Sequence, residues 1–158
     1  MLRILFVCHG NICRSAAAKY IMQRLVDEAH LSARFLIDSA ATSTEELGNP
    51  VYPPMKRVLE SHSIPCGGHR ARQIRRSDYE HYDLLIGTDY ANIRNMERMF
   101  GGDPDGKLHL LLDYAGRPGE AISDPWYTRD FSGCLAEIRT CCDALLERLR
   151  RGEATPYA

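Results

Sequence analysis

The chain has 158 residues, within the roughly 100–200 residues typical of one domain. Its 44% hydrophobic and 26% charged residues exclude a disordered or collagenous chain, and a net charge of −1 gives no basic field for nucleic acid. No apolar run approaches the ~18–20 residues of a membrane helix, and a chain this size buries about 68–70% of its unfolded surface without a covalent staple.

Leu2–Val7 is apolar except for Arg3 and predicts a buried strand, central in a parallel sheet. A loop follows at Cys8–Arg14, then a helix from about Ser15 to Ala29, with Ala18, Ile21, Met22, Leu25, Val26 and Ala29 on one face. Phe35–Ala40 is a second strand. Gly48-Asn49-Pro50 and Pro53-Pro54 punctuate a long loop before a helix at about Met55–His62. Asp83–Gly87 is a third strand, Asp89–Met99 a helix, Asp103-Pro104-Asp105-Gly106 a turn and Lys107–Leu112 a fourth strand. Gly116–Asp130 is a polar loop. The last helix, about Phe131–Arg150, carries an apolar stripe of Phe131, Leu135, Ile138, Cys142, Leu145 and Leu149.

The domain is expected to span 1–152, with 153–158 as a frayed tail. Alternating strands and helices predict a single-domain α/β fold: a four-stranded parallel twisted sheet with right-handed crossovers and helices on both faces. Ligands in such sheets bind at the carboxyl ends of the strands, where Cys8–Arg14 lies.

That loop joins a strand end to a helix start, so free backbone N–H groups and the helix dipole converge on its centre. Gly10 and Asn11 tolerate left-handed backbone, which lets successive amides face inward as a nest for a tetrahedral oxyanion. Cys8 enters this positive field as a thiolate nucleophile. Arg14, six residues on, offers a planar fork for two phosphate oxygens. Ser15 is placed to hydrogen-bond the thiolate. Together these make a Cys-x5-Arg phosphate loop after the first strand. Asp124, in the loop after the fourth strand, is the candidate general acid and base at the same sheet edge, with Asp89 at a helix start as the next candidate. Trp126 and Tyr127 are candidates to wall the pocket and stack on an aryl ring.

Six cysteines are present, but no C-x-x-C pair suggests a zinc site and no secretory signal is visible. Reduced thiols and a cytoplasmic location are the expectation.

Cys8-His9-Gly10-Asn11-Ile12-Cys13-Arg14-Ser15 resembles the signature of the low-molecular-weight protein tyrosine phosphatases. Asp38–Ser43, Gly48-Asn49-Pro50, His69 with Ala71-Arg72-Gln73, and Asp124-Pro125-Trp126-Tyr127 resemble further family segments in the family's order. The resemblance implies hydrolysis of phosphotyrosine proteins or peptides through a phosphocysteine. It also implies phosphate or another oxyanion as product or inhibitor, and no metal or cofactor, nucleic acid or membrane partner. It places the loop amides of His9 to Arg14 on the phosphate, and makes Asn11, Ser15, Ser39 and His69 a network supporting the loop. Cys13 is implied as the partner of a reversible disulfide with Cys8. Ile12 is similar to the tyrosine-phosphatase branch; a phosphoarginine-cleaving branch carries Thr there. Departures are Ala16 for the usual proline, Lys19 for a frequent Glu, and Glu45 where an aromatic often lines the rim, a change that disfavours acidic peptides. Two alternatives stand beside this reading. An arsenate reductase on the same fold needs relay cysteines, but residues 67–133 contain none. A non-catalytic phosphopeptide-binding module has no use for both Cys8 and Asp124.

Overall fold

The computed structural model of the protein describes residues 1–156. Four parallel strands, β1 (Leu2–Cys8), β2 (Phe35–Ala41), β3 (Leu84–Gly87) and β4 (Leu108–Leu110), lie in the order β2-β1-β3-β4. The central position expected for β1 is therefore realised, and Ile4, Leu5, Phe6 and Val7 are fully buried. Side chains alternate across the sheet: Ile4, Phe6, Leu84 and Ile86 face one core, Leu5, Val7 and Leu85 the other. The larger core is closed by α1 (Arg14–Glu28), α2 (Pro53–Ser61) and α6 (Phe131–Arg150), the smaller by α3 (Arg76–His81) and α4 (Tyr90–Phe100). Helices thus cover both faces, as the alternating pattern requires.

The differences from expectation are local. α2 starts at Pro53 because Pro53 and Pro54 occupy its first turn, where a missing N–H costs nothing. β4 is shorter than Lys107–Leu112. The Asp103 carboxylate takes the N–H groups of Lys107 (2.8 Å) and Leu108 (3.2 Å), and the chain turns into a 3₁₀ segment at Leu111–Ala115. α3 forms in a stretch to which the sequence reading assigns no element; its Asp78 accepts the Arg75 N–H at 2.7 Å. A further short helix, α5 (Pro125–Thr128), interrupts the loop before α6. Part of the tail expected to fray is tied down. Tyr114 Oη donates to the Ala154 carbonyl (2.9 Å), Arg148 reaches that of Thr155 (3.3 Å), and Pro156 is buried. Residues 157–158 of that tail lie outside the described residues. No helix among the described residues is long and apolar enough to cross a membrane.

Candidate active site

β1 delivers Cys8 to its carboxyl end, and α1 begins six residues later with Arg14. In between, Asn11 alone takes left-handed backbone (φ 59°). Gly10, expected to share it, does not have a positive φ; its small size matters instead, since a Cβ there would meet Glu46 Cγ at 3.3 Å. The N–H groups of Gly10, Ile12, Cys13 and Arg14 donate to no acceptor of the protein among the described residues. Four unclaimed amides at a helix start form a nest for an anion.

Asn11 is the hub behind this loop. Its Nδ2 donates to Ser15 Oγ (2.8 Å) and Ser39 Oγ (2.9 Å), and its Oδ1 accepts the Arg72 N–H at 3.2 Å. His69 Nε2 lies 2.6 Å from the Asn11 carbonyl. Burial holds His69 below the usual histidine range against that hydrogen bond, so its ring is neutral and Nε2–H is the donor. Cys8 Sγ sits 2.9 Å from Ser15 Oγ and accepts the Asn11 N–H at 3.3 Å. All four residues of the expected support network are buried together, so the positive φ at Asn11 is over-determined from outside.

Arg14 is buried, yet Nη1 donates to Asp89 Oδ2 (3.1 Å) and the Ile122 carbonyl (3.0 Å), and Nη2 lies 3.7 Å from Asp124 Oδ2. Burial opposes its charge, but Cys8, Asp124 and Asp89 outweigh that and raise its pKa. Asp89, reserved in sequence as a second acid, is instead committed twice: Oδ2 on Arg14 and Oδ1 capping α4 through the Asn92 N–H at 3.0 Å. Asp124 caps α5 through Oδ1 on the Trp126 N–H (3.0 Å), which leaves Oδ2 facing the guanidinium and the cavity.

The cavity has a volume of about 360 Å³ and is lined by Cys8 through Arg14, Glu45, Asp124, Trp126 and Tyr127. Ser15, Ser39 and His69 stand behind its wall rather than in it. Glu46, the acidic neighbour of Glu45, also lines it, as do Phe131, read in sequence only as a core position, and Tyr52, which was not singled out. Tyr52 is bound through its N–H to the Ile12 carbonyl (2.8 Å) and packs against Trp126 (5.2 Å between rings) and Phe131 (5.7 Å). A tyrosine before a proline pair carries no sign in sequence of this through-space contact. His9 Nε2 meets Glu45 Oε2 at 2.9 Å on the rim. Lys19, a departure in sequence, pairs with Asp38 at 3.2 Å away from the cavity. Among the described residues no cluster of His, Cys, Asp and Glu could hold a metal.

Of the other thiols, Cys13 is half-buried and Cys66, Cys134, Cys141 and Cys142 are buried. Burial pushes Cys134 and Cys141 up to about 12 and raises Cys13, Cys66 and Cys142 as well. Each of these thiols stays protonated near neutrality.

The family model for low molecular weight phosphotyrosine protein phosphatase matches residues 3–155. The low molecular weight phosphotyrosine protein phosphatase of Gallus gallus is 36% identical over 149 residues, covering 92% of this chain and 94% of the relative. The crystal structure of YfkJ from Bacillus subtilis superposes with a TM-score of 0.92 at 32% identity, covering 97% of each chain. A Drosophila arginine phosphatase superposes with a TM-score of 0.86 at 28% identity, covering 94% of this chain and 98% of that one. An α/β fold with a nucleophile loop at the central strand defines the class. Within it, the chain belongs to the low-molecular-weight phosphotyrosine protein phosphatase family.

Proposed function

We propose that the protein hydrolyses phosphotyrosine monoesters through a phosphocysteine, with Cys8 as nucleophile, Arg14 as phosphate clamp and Asp124 as general acid and base. The observation that carries this reading is the convergence of Cys8, Arg14 and Asp124 on one cavity floored by unclaimed amides. Cys8 Sγ attacks phosphorus in line as the P–O bond breaks, and Asp124 protonates the departing tyrosine oxygen. The growing charge on the equatorial oxygens falls on Arg14 and the loop amides. Ser15 Oγ, 2.9 Å from Cys8 Sγ, stabilises the thiolate when it leaves. Asp124 then takes a proton from water, which releases phosphate. The branched apolar Ile12 and the aromatic Tyr52, Trp126 and Phe131 on the walls support an aryl substrate.

Free phosphate and similar oxyanions bind the same nest as product or inhibitor. A peroxide oxidises the Cys8 thiolate to a sulfenic acid, and the Cys13 thiol displaces water from it to form a disulfide that guards the nucleophile. A reducing, cytoplasmic setting agrees with six free thiols, four of them buried in the larger core. Membranes and nucleic acids are not partners in this reading.

The test is metal-free turnover of phosphotyrosine by the wild type and by Cys8→Ser. Turnover should vanish in Cys8→Ser while phosphate binding, read by calorimetry, persists through Arg14 and the amides. Near-wild-type turnover in Cys8→Ser would overturn the assignment.

A further inference from the structure

The cavity is cationic at its floor and acidic at its lip. Arg14 is the only lysine or arginine among the described residues that line it, and it is bound to Asp89 and the Ile122 carbonyl at the bottom. The charged or chargeable groups around the mouth are His9, Glu45 and Glu46. His9 and Glu45 meet at 2.9 Å with side chains 56% and 68% exposed. Glu46 Oε2 accepts from Asn49 Nδ2 at 2.6 Å, and its Cγ lies over Gly10. Trp126 and Tyr127 also line the cavity and are exposed, 54% and 82%. Arg129 does not line the cavity; its guanidinium lies over the rings of Tyr52 and Phe131, on the aromatic side of the mouth and not beside the two carboxylates. A phosphate dianion is matched at the floor, so the lip charge faces whatever flanks the phosphorylated residue.

We infer that Glu45 is a specificity-determining residue, which with Glu46 and the faces of Trp126 and Tyr127 selects phosphotyrosines flanked by lysine or arginine. This rests on the phosphotyrosine reading above and names the substrate class within it. A cationic flank finds two carboxylates and two aromatic faces, each attractive to ammonium or guanidinium. An acidic flank meets like charge at the same place. His9 holds the Glu45 carboxylate over the mouth, and a substrate cation takes over that partner on binding.

The experiment compares two phosphotyrosine peptides of equal length, one with Lys on both sides of the phosphotyrosine and one with Glu. Each kcat/KM is divided by the same enzyme's value on free phosphotyrosine, which removes any change in the chemistry itself. An exposed ion pair contributes up to about fivefold, so attraction and repulsion together predict a Lys-over-Glu ratio of about tenfold at low salt, shrinking as salt screens it. Glu45→Gln should lower the ratio and Glu45→Lys should bring it to one or below. A wild-type ratio near one, or a ratio that Glu45→Lys leaves unmoved, overturns the inference. The two failures are distinguishable: no turnover of free phosphotyrosine removes the phosphotyrosine reading, whereas turnover without discrimination removes only the role of the lip.

Discussion

The nucleophile loop and the acid loop meet in one cavity but are held by different means. Residues 8–15 are tied from behind by buried side chains: Asn11 to Ser15, Ser39 and Arg72, and His69 to Asn11. Residues 116–130 are held at separate points: Arg117 by Glu137 (2.8 Å) and Gly119 by Asp113 (2.9 Å) near the start, then buried Ile122, whose N–H reaches the Thr88 carbonyl (2.9 Å) and whose carbonyl accepts from Arg14, and buried Pro125. Asp124 itself depends on one cap hydrogen bond and a 3.7 Å approach to Arg14. The group that binds and attacks is built into the core; the group that moves a proton sits on a surface segment, between two of its points of attachment. Damage on the first side therefore costs anion binding and stability, and damage on the second costs the two proton-transfer steps.

After the loss of turnover in Cys8→Ser, the largest effect should come from Asp124→Asn. A tyrosine oxygen leaves poorly unless protonated, and a general acid supplies about 10²–10⁴-fold. We expect kcat on phosphotyrosine to fall by that order while phosphate affinity stays close to wild type. The deficit should shrink for aryl phosphates with acidic leaving groups. Phosphorylation rates across a leaving-group series give the check: parallel slopes against leaving-group pKa in wild type and variant would remove the acid role and, with it, the division of labour.

Asn11→Ala attacks the other side. It strips the donors to Ser15 and Ser39, strands the Arg72 N–H, and puts Ala at φ 59°. A buried unsatisfied group costs about 1–3 kcal/mol, and left-handed backbone without glycine adds about 1–2. Denaturant unfolding should show a loss of about 3 kcal/mol, accompanied by weaker phosphate inhibition. Asn11→Gly relieves the backbone but not the lost hydrogen bonds, so it should recover only part of the stability. Full recovery would mean that backbone angle, not the network, holds the loop.

The contrast between the two regions also explains what was legible in sequence. Cys8, Arg14 and Ser15 lie within one short stretch where a buried strand gives way to an amphipathic helix, so their chemistry could be read from spacing. The sheet was legible for the same reason, since each strand is a short apolar run. What escaped depends on contacts between distant segments. Tyr52 reaches the cavity only because its N–H is bound to Ile12, 40 positions earlier. Arg72 looks like one of several surface arginines, yet its guanidinium makes two hydrogen bonds to buried Asp78 (3.0 and 3.2 Å) and so fixes the backbone that supports Asn11. Asp89 has the sequence of a helix cap and, in space, also orients Arg14.

Cys13 sharpens the comparison on the redox side, because it belongs wholly to the nucleophile loop. Mild peroxide should inactivate the wild type and a thiol reductant should restore it. In Cys13→Ser the Cys8 sulfenic acid has no neighbour in the loop to trap it and should oxidise further, so recovery falls to a small fraction. Equal recovery of activity in both proteins would remove the protective role. Asp124→Asn should leave the reversibility unchanged, because the acid loop supplies no thiol.

The smallest effect expected is a pH dependence of stability that originates behind the nucleophile loop. His69 is neutral in the folded protein because burial lowers its pKa below the unfolded value near 6.5. As pH falls below that value, the unfolded chain takes up a proton that the folded His69 resists. Stability should therefore be fully present above about pH 6.5 and decline as pH falls toward the folded pKa, with a slope from one site of at most about 1.4 kcal/mol per pH unit. His109 is buried and lowered in the same direction, so it contributes a second slope in the same window. His69→Gln retains an N–H able to reach the Asn11 carbonyl but does not titrate. Its melting temperature should vary less between pH 7 and pH 5 than that of the wild type, by roughly the share of one histidine. An unchanged slope would mean that His69 does not carry the titration. A steeper slope would mean that it stabilises the loop as the charged imidazolium, and the neutral-donor assignment at Asn11 would have to be reversed.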